Sequence, residues 1–201
     1  MAEKKDIGEA KKPFNIGRVM RNLKDHLSWA EVEKVVHAAK NDRDRLMMIT
    51  LALTGRRISE VLLLTPRAIL FEQHKGIFTI KKKKNPTERM FPLHSALIKE
   101  LGAYINANKI GSDELIFPIT RIRAYQIIRQ AGKDAGMEKI DKHFMHPHIF
   151  RHSFAIHFLK TSNDPGALKK LQQLLFHSDI SMTADYSQFA DEDLAEELEK
   201  M

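Results

Sequence analysis

One block of the chain breaks its helical rhythm and restricts what it can fold into. Between Ala68 and Pro92 lie three short runs with β-rich residues, Ala68 to Phe71, Gly76 to Lys81 and Glu88 to Pro92. Gln73-His74-Lys75-Gly76 and Asn85-Pro86-Thr87 separate them. Short β-rich runs joined by turn residues pair locally, so a small three-stranded antiparallel sheet is expected there. On either side, apolar residues recur at helical spacing. Ser28-Trp29-Ala30-Glu31 has the form of a capping box ahead of Val32, Val35 and Val36, which predicts a helix over 29–40. An apolar helix follows over 43–53. Gly55 interrupts it, and Ile58, Val61, Leu62 and Leu64 resume a helix face until Pro66. After the β-rich block, helices are predicted over 97–107, 121–136, 148–159 and 166–175, with an acidic helix near the end. The expected class is mainly α with a small three-stranded antiparallel sheet, and 201 residues, 43% of them hydrophobic, suffice for one core.

Charge is distributed unevenly. The last fifteen residues carry a local −5, so residues 1–186 carry +12 of the overall +7. A compact basic body suits a polyanion, because Lys and Arg contacts to phosphates release condensed counterions. Residues 1–25 read as a flexible basic arm, 26–190 as the globular domain and 191–201 as an acidic tail helix. The absence of cysteine excludes disulfides, thiolate nucleophiles and sulfur-ligated zinc. No apolar run of about 18 residues offers a membrane span, and the polar, lysine-rich N-terminus has no signal-peptide character, so a cytoplasmic location with no membrane partner is expected.

Three segments carry candidate chemistry. In Thr54-Gly55-Arg56-Arg57-Ile58-Ser59-Glu60, two arginines sit at a glycine break before a helix. Read alone, that is a solvated helix start with an Arg56–Glu60 surface pair. In Pro147-His148-Ile149-Phe150-Arg151-His152, helical spacing puts His148, Arg151 and His152 on one side. Imidazoles four apart can hold a metal, but no intervening Glu, cysteine or other recognised ligand spacing accompanies them, so no metal is expected. In the third segment, His177 precedes Tyr186 by nine residues in a polar, helix-breaking context. Tyr104 and Tyr125, the other two tyrosines, fall in amphipathic helices and read as packing residues.

Together these segments resemble the tyrosine recombinases of the phage integrase family. The family signature is T-G-x-R-x-x-E, a lysine in a β-hairpin, H-x-x-R, then a histidine and a tyrosine nine residues on. The resemblance covers residues 26 to about 195 and selects Arg57, His148, Arg151, His177 and Tyr186. The hairpin from Lys81 to Leu93 resembles the family's G-K-G-x-K-x-R-x-x-P-L, and an ungapped match selects Lys84 among four consecutive lysines.

The resemblance implies the DNA breaking-rejoining catalytic fold over 26–190 and a site-specific recombinase or integrase that cuts and rejoins double-stranded DNA through a 3′-phosphotyrosyl link. Neither a cofactor nor ATP is expected. Arg57 and Arg151 would clamp the non-bridging oxygens, Tyr186 would attack, His148 would act as acid or base, His177 would bond the phosphate, and Lys84 would protonate the leaving oxygen. Glu60 falls at a supporting position. Lys82 and Lys83 would contact the backbone, and Arg121, Arg123 and Arg129 would carry DNA-binding groups on one helix. The expected partner state is a homo-oligomer, dimer to tetramer, on nucleoid DNA, with Leu194 and Leu198 as an apolar stripe that the tail could lend to a neighbouring protomer. Phe176 stands where the family has glycine. The resemblance also implies an N-terminal DNA-binding domain that residues 1–25 do not supply, and hence weaker, more salt-dependent binding. Two further outcomes fit the same residues: an idle DNA-binding regulator, and type IB topoisomerase-like relaxation. A basic RNA-binding protein is a weaker fit, without an RNP motif or KH loop.

Overall fold

A computed structural model describes residues 26–80, 86–140, 143–162 and 164–175. Helix α1 (Trp29–His37) starts with the capping box foreseen for it: the Ser28 N–H donates to Glu31 Oε2 at 2.8 Å and the Glu31 N–H to Ser28 Oγ at 3.4 Å. Helix α2 (Asp42–Thr54) is capped by Asn41, whose Oδ1 accepts from the Asp44 N–H at 2.9 Å. Its Leu46, Met47, Met48, Leu51 and Ala52 are all buried, so α2 is the central strut. It packs most extensively on α6 (Pro147–Thr161) and then on α4 (Ser95–Ala107). The short α3 (Ile58–Val61) follows α2 across the glycine turn.

The sheet forms where the block of β-rich runs lies. Strands β1 (Ile69–Leu70), β2 (Lys75–Ile80) and β3 (Thr87–Pro92) are antiparallel in that order, with Gly76 opposite Ile69 and Phe91. Phe78 and Phe91 point inward and meet edge to face, ring centres 6.1 Å apart. Helix α5 (Arg121–Asp134) is capped by Thr120, whose Oγ1 accepts from the Arg123 N–H. A second ribbon, β4 (Lys139–Ile140) and β5 (His143–Phe144), was not foreseen. Its strands of two residues are too short to show a period.

Helix α7 (Ala167–Leu175) presents Ala167, Leu171 and Leu175 at intervals of four. Leu171 and Leu175 pack with Ala155 and Ile156 of α6 in a cluster apart from the main core. The architecture is therefore the expected one, mainly helical with one three-stranded antiparallel sheet. No helix among the described residues is long and apolar enough to cross a membrane. The arm 1–25, Lys82, Lys83, Lys84, Phe176, His177, Tyr186 and the tail 191–201 lie outside the described residues.

Candidate active site

Gly55 makes the first half of the site. It ends α2 in the left-handed region at φ +59°, its N–H donating to Leu51 O, a conformation that glycine adopts without strain. A Cβ here would stand 2.5 Å from Phe154 Cδ1 and 3.1 Å from Leu175 Cδ2, so the turn lies directly against α6 and α7. The two arginines that follow part company. Arg57, the N-cap of α3, keeps 38% of its side chain exposed, while Arg56 is 1% exposed. Buried Glu60 holds Arg57 in place: its Oε2 accepts from the Arg57 N–H at 3.3 Å and its Oε1 from Nη1 at 3.2 Å. The surface pair expected between Arg56 and Glu60 is instead an interior one, 3.6 Å long, because Arg56 turns beneath the sheet.

Helix α6 supplies the second half. Pro147 at its first position lacks an N–H that would have gone unbonded, and so suits a helix start. One turn on, Arg151 is buried and donates from Nη1 to Gly55 O at 2.7 Å and from Nη2 to Leu175 O at 2.8 Å. These two bonds join segments 96 and 24 residues away in sequence. His148, on the same side of α6, is exposed at its surface. Its pKa lies below the ordinary histidine value, first because the protein displaces water around it and then because His146, Arg151, Arg57 and Arg121 add positive charge nearby. A neutral imidazole beside three guanidiniums can accept a proton at neutral pH. His152 is half-buried, and loss of hydration, followed by the charges of His148, His146 and Arg151, pushes its pKa down to about 3. The His148 and His152 rings lie 6.4 Å apart, and no group of three metal-ligating side chains converges among the described residues.

The three arginines of α5 are not equivalent. Arg121 and Arg129 border a groove of about 740 Å³ that Ile122, Tyr125, Phe144 and His146 also line. The Arg121 guanidinium lies 5.5 Å from the Tyr125 ring centre, and that of Arg129 only 3.7 Å from Phe144, whose ring also has Lys139 Nζ at 4.9 Å. His146 lies 6.2 Å from His148, ring to ring, so the groove leads to the Arg57–His148–Arg151 cluster. Arg123 instead lines a smaller pocket with Asp44 and Asp134. The structure thus brings Arg57, His148 and Arg151 together, sets Arg121 and Arg129 beside them and turns Arg123 away. Arg56 and Phe144 were not singled out from the sequence. No local signal marks Arg56 as the buried one, since its burial beneath Phe91 depends on how the sheet covers α3. Phe144 has none either.

The sequence profile of the phage integrase family matches residues 26–193, which includes both halves of this site. The chain belongs to the phage integrase family. Similar proteins include the tyrosine recombinase XerA of Pyrococcus horikoshii, 30% identical over 191 residues that cover 91% of this chain and 63% of the relative. A tyrosine recombinase of Pseudothermotoga lettingae is 31% identical over 186 residues, 92% of this chain and 63% of the relative. The chain therefore spans a little under two thirds of the length of these relatives. Solved structures agree on the fold. A XerA recombinase crystal structure superposes with a TM-score of 0.67 at 24% identity, over 86% of this chain and 62% of that one. The post-cleavage complex of the XerH site-specific recombinase with palindromic difH substrate gives 0.71 at 23% identity, over 88% and 53%.

Proposed function

We propose that this phage integrase family chain is the catalytic domain, over 26–190, of a tyrosine recombinase that cuts and rejoins double-stranded DNA. The observation that carries the reading is the convergence of Arg57, Arg151 and His148 from segments some ninety residues apart onto one site at the mouth of a basic groove. Attack on a phosphodiester builds negative charge on the non-bridging oxygens, and Arg57 and Arg151 would stabilise it. The Tyr186 Oη would attack phosphorus while the bond to the 5′ oxygen breaks. His148 would take the tyrosine proton, Lys84 or a neighbouring lysine would protonate the 5′ oxygen, and His177 would bond the phosphate. The phosphotyrosyl link conserves the bond energy, and attack by a 5′ hydroxyl reverses each step. No metal or ATP enters.

Lys82, Lys83, Arg121 and Arg129 would hold the duplex, with Arg123 a lesser contributor. The XerH relative is described bound to its DNA substrate, and a lambda integrase fragment as a dimer on a core site. By analogy this chain would act as a dimer to tetramer on cytoplasmic, nucleoid DNA, the tail 191–201 serving as the exchanged helix. The test is covalent capture. The chain is incubated with a pool of nicked duplexes of randomised core that lack a religating end, and SDS-stable adducts are counted. Wild type forms them with or without EDTA, and Tyr186→Phe forms none. DNA binding without any wild-type adduct would leave the idle DNA-binding regulator.

A further inference from the structure

Arg56 is costly where it stands. Its guanidinium is buried 4.7 Å from the Phe91 ring centre and 6.0 Å from that of Phe78, with Glu60 at 3.6 Å. Burial lowers its pKa to about 9, which still leaves it charged at neutral pH. An apolar pair of similar volume in place of a buried ion pair is often neutral or stabilising, so packing alone gives no reason for an arginine. What an apolar residue cannot do is reach a carbonyl: Arg56 Nη2 donates to Leu174 O. The next carbonyl, Leu175 O, accepts from Arg151. Two cations therefore hold consecutive carbonyls at the C-terminal end of α7, the end at which the helix dipole favours positive charge. The apolar seat of α7 is the small cluster of Leu171 and Leu175 together with Leu174 against the main core. The clasp adds two hydrogen bonds to the apolar contacts that fix its last turn. His177 follows Leu175 by two residues and Tyr186 by eleven.

We propose that Arg56 is a positioning residue, which seats the end of α7 against the Gly55–Arg57 turn and so sets where the chain toward His177 and Tyr186 begins relative to the phosphate clamp. It touches neither DNA nor the reacting atoms. The inference rests on the recombinase reading above, and the two can fail separately.

The experiment compares wild type, Arg56→Met and Arg56→Lys on one suicide duplex taken from the randomised pool by wild-type capture. Three quantities are read: the single-turnover adduct rate at saturating DNA, DNA affinity in a Tyr186→Phe background, and the melting temperature. Misplacing a reacting group by about 1 Å can cost on the order of a hundredfold, so Arg56→Met should slow adduct formation by about ten- to a hundredfold. Its affinity should stay within about twofold of wild type, and its melting temperature should fall, because buried Glu60 loses one of its two guanidinium partners and Leu174 O its donor. Arg56→Lys, which can still reach one carbonyl, should recover part of the rate. Cleavage by Arg56→Met at the wild-type rate overturns the proposal alone, as does an affinity loss that accounts for the whole defect. If Arg56→Met does not fold, a folded Arg56→Lys is read by the same rate and affinity criteria. If neither folds, Arg56 is a structural residue only and the proposal is overturned. A wild type that forms no adduct overturns the recombinase reading, and this proposal with it.

Discussion

Gly55→Ala tests whether the catalytic turn depends on its close approach to α6. Alanine in the left-handed region costs about 1 kcal/mol in backbone energy. The added methyl would stand 2.5 Å from the Phe154 ring and 3.1 Å from Leu175, and overpacking of that kind costs about 1–3 kcal/mol more. We expect a total loss of about 2–4 kcal/mol, seen as a fall of roughly 5–15 °C in melting temperature for a domain of this size. Gly136 is the internal control. It shares the conformation, at φ +77°, but has nothing within 4 Å of an added Cβ, so Gly136→Ala should lose only the backbone part. Any gain from stiffening the unfolded chain is common to both and cancels in the comparison. Urea unfolding of the two variants measures the difference, and adding Phe154→Ala should shrink the Gly55 cost through their contact. Equal losses at Gly55 and Gly136, or additivity with Phe154→Ala, would refute the close-approach argument.

The other predictions concern charge. His152 has a folded pKa of about 3 against an ordinary 6.5, so the unfolded chain binds the extra proton. Its contribution is intact above pH 6.5 and declines as pH falls toward 3, by up to about 1.4 kcal/mol per pH unit; urea midpoints of His152→Gln should show a flatter slope between pH 6.5 and 5. Arg57→Ala, at a half-exposed position, should lower the adduct rate on the order of 100- to 1000-fold with a small change in melting temperature. Arg151→Ala should lose stability as well as rate, because it opens both carbonyl contacts. In anisotropy titrations against salt, Arg121→Ala and Arg129→Ala should each reduce the slope of log K by about 0.9, and Arg123→Ala by clearly less.

Local signals served well for the elements. The Ser28–Glu31 box starts α1 where expected, and turn residues divide the β-rich block into the three strands that form. Choosing Arg57 over Arg56 rested on the family pattern alone. The physical basis of the choice, one guanidinium half in solvent and its neighbour beneath Phe91, depends on how the sheet covers α3 and has no trace in local periodicity. Arg123 is different, because the signal was there. At 3.6 residues per turn it lies about 200° around α5 from Arg121, while Arg129 returns to within about 80°. The β4–β5 ribbon and its Phe144, held between Arg129 and Lys139, could not be foreseen, since those contacts are made only once α5 and the ribbon meet.

One clasp at the edge of the domain has a mechanical meaning. The Leu27 N–H donates to Ser153 Oγ at 2.9 Å, and Ser153 lies two residues beyond Arg151 on α6. A pull exerted through the chain ahead of residue 27 therefore arrives on α6 before it has travelled along α1. The helix that carries His148 and Arg151 is thus tied by a buried hydrogen bond to the chain just ahead of α1.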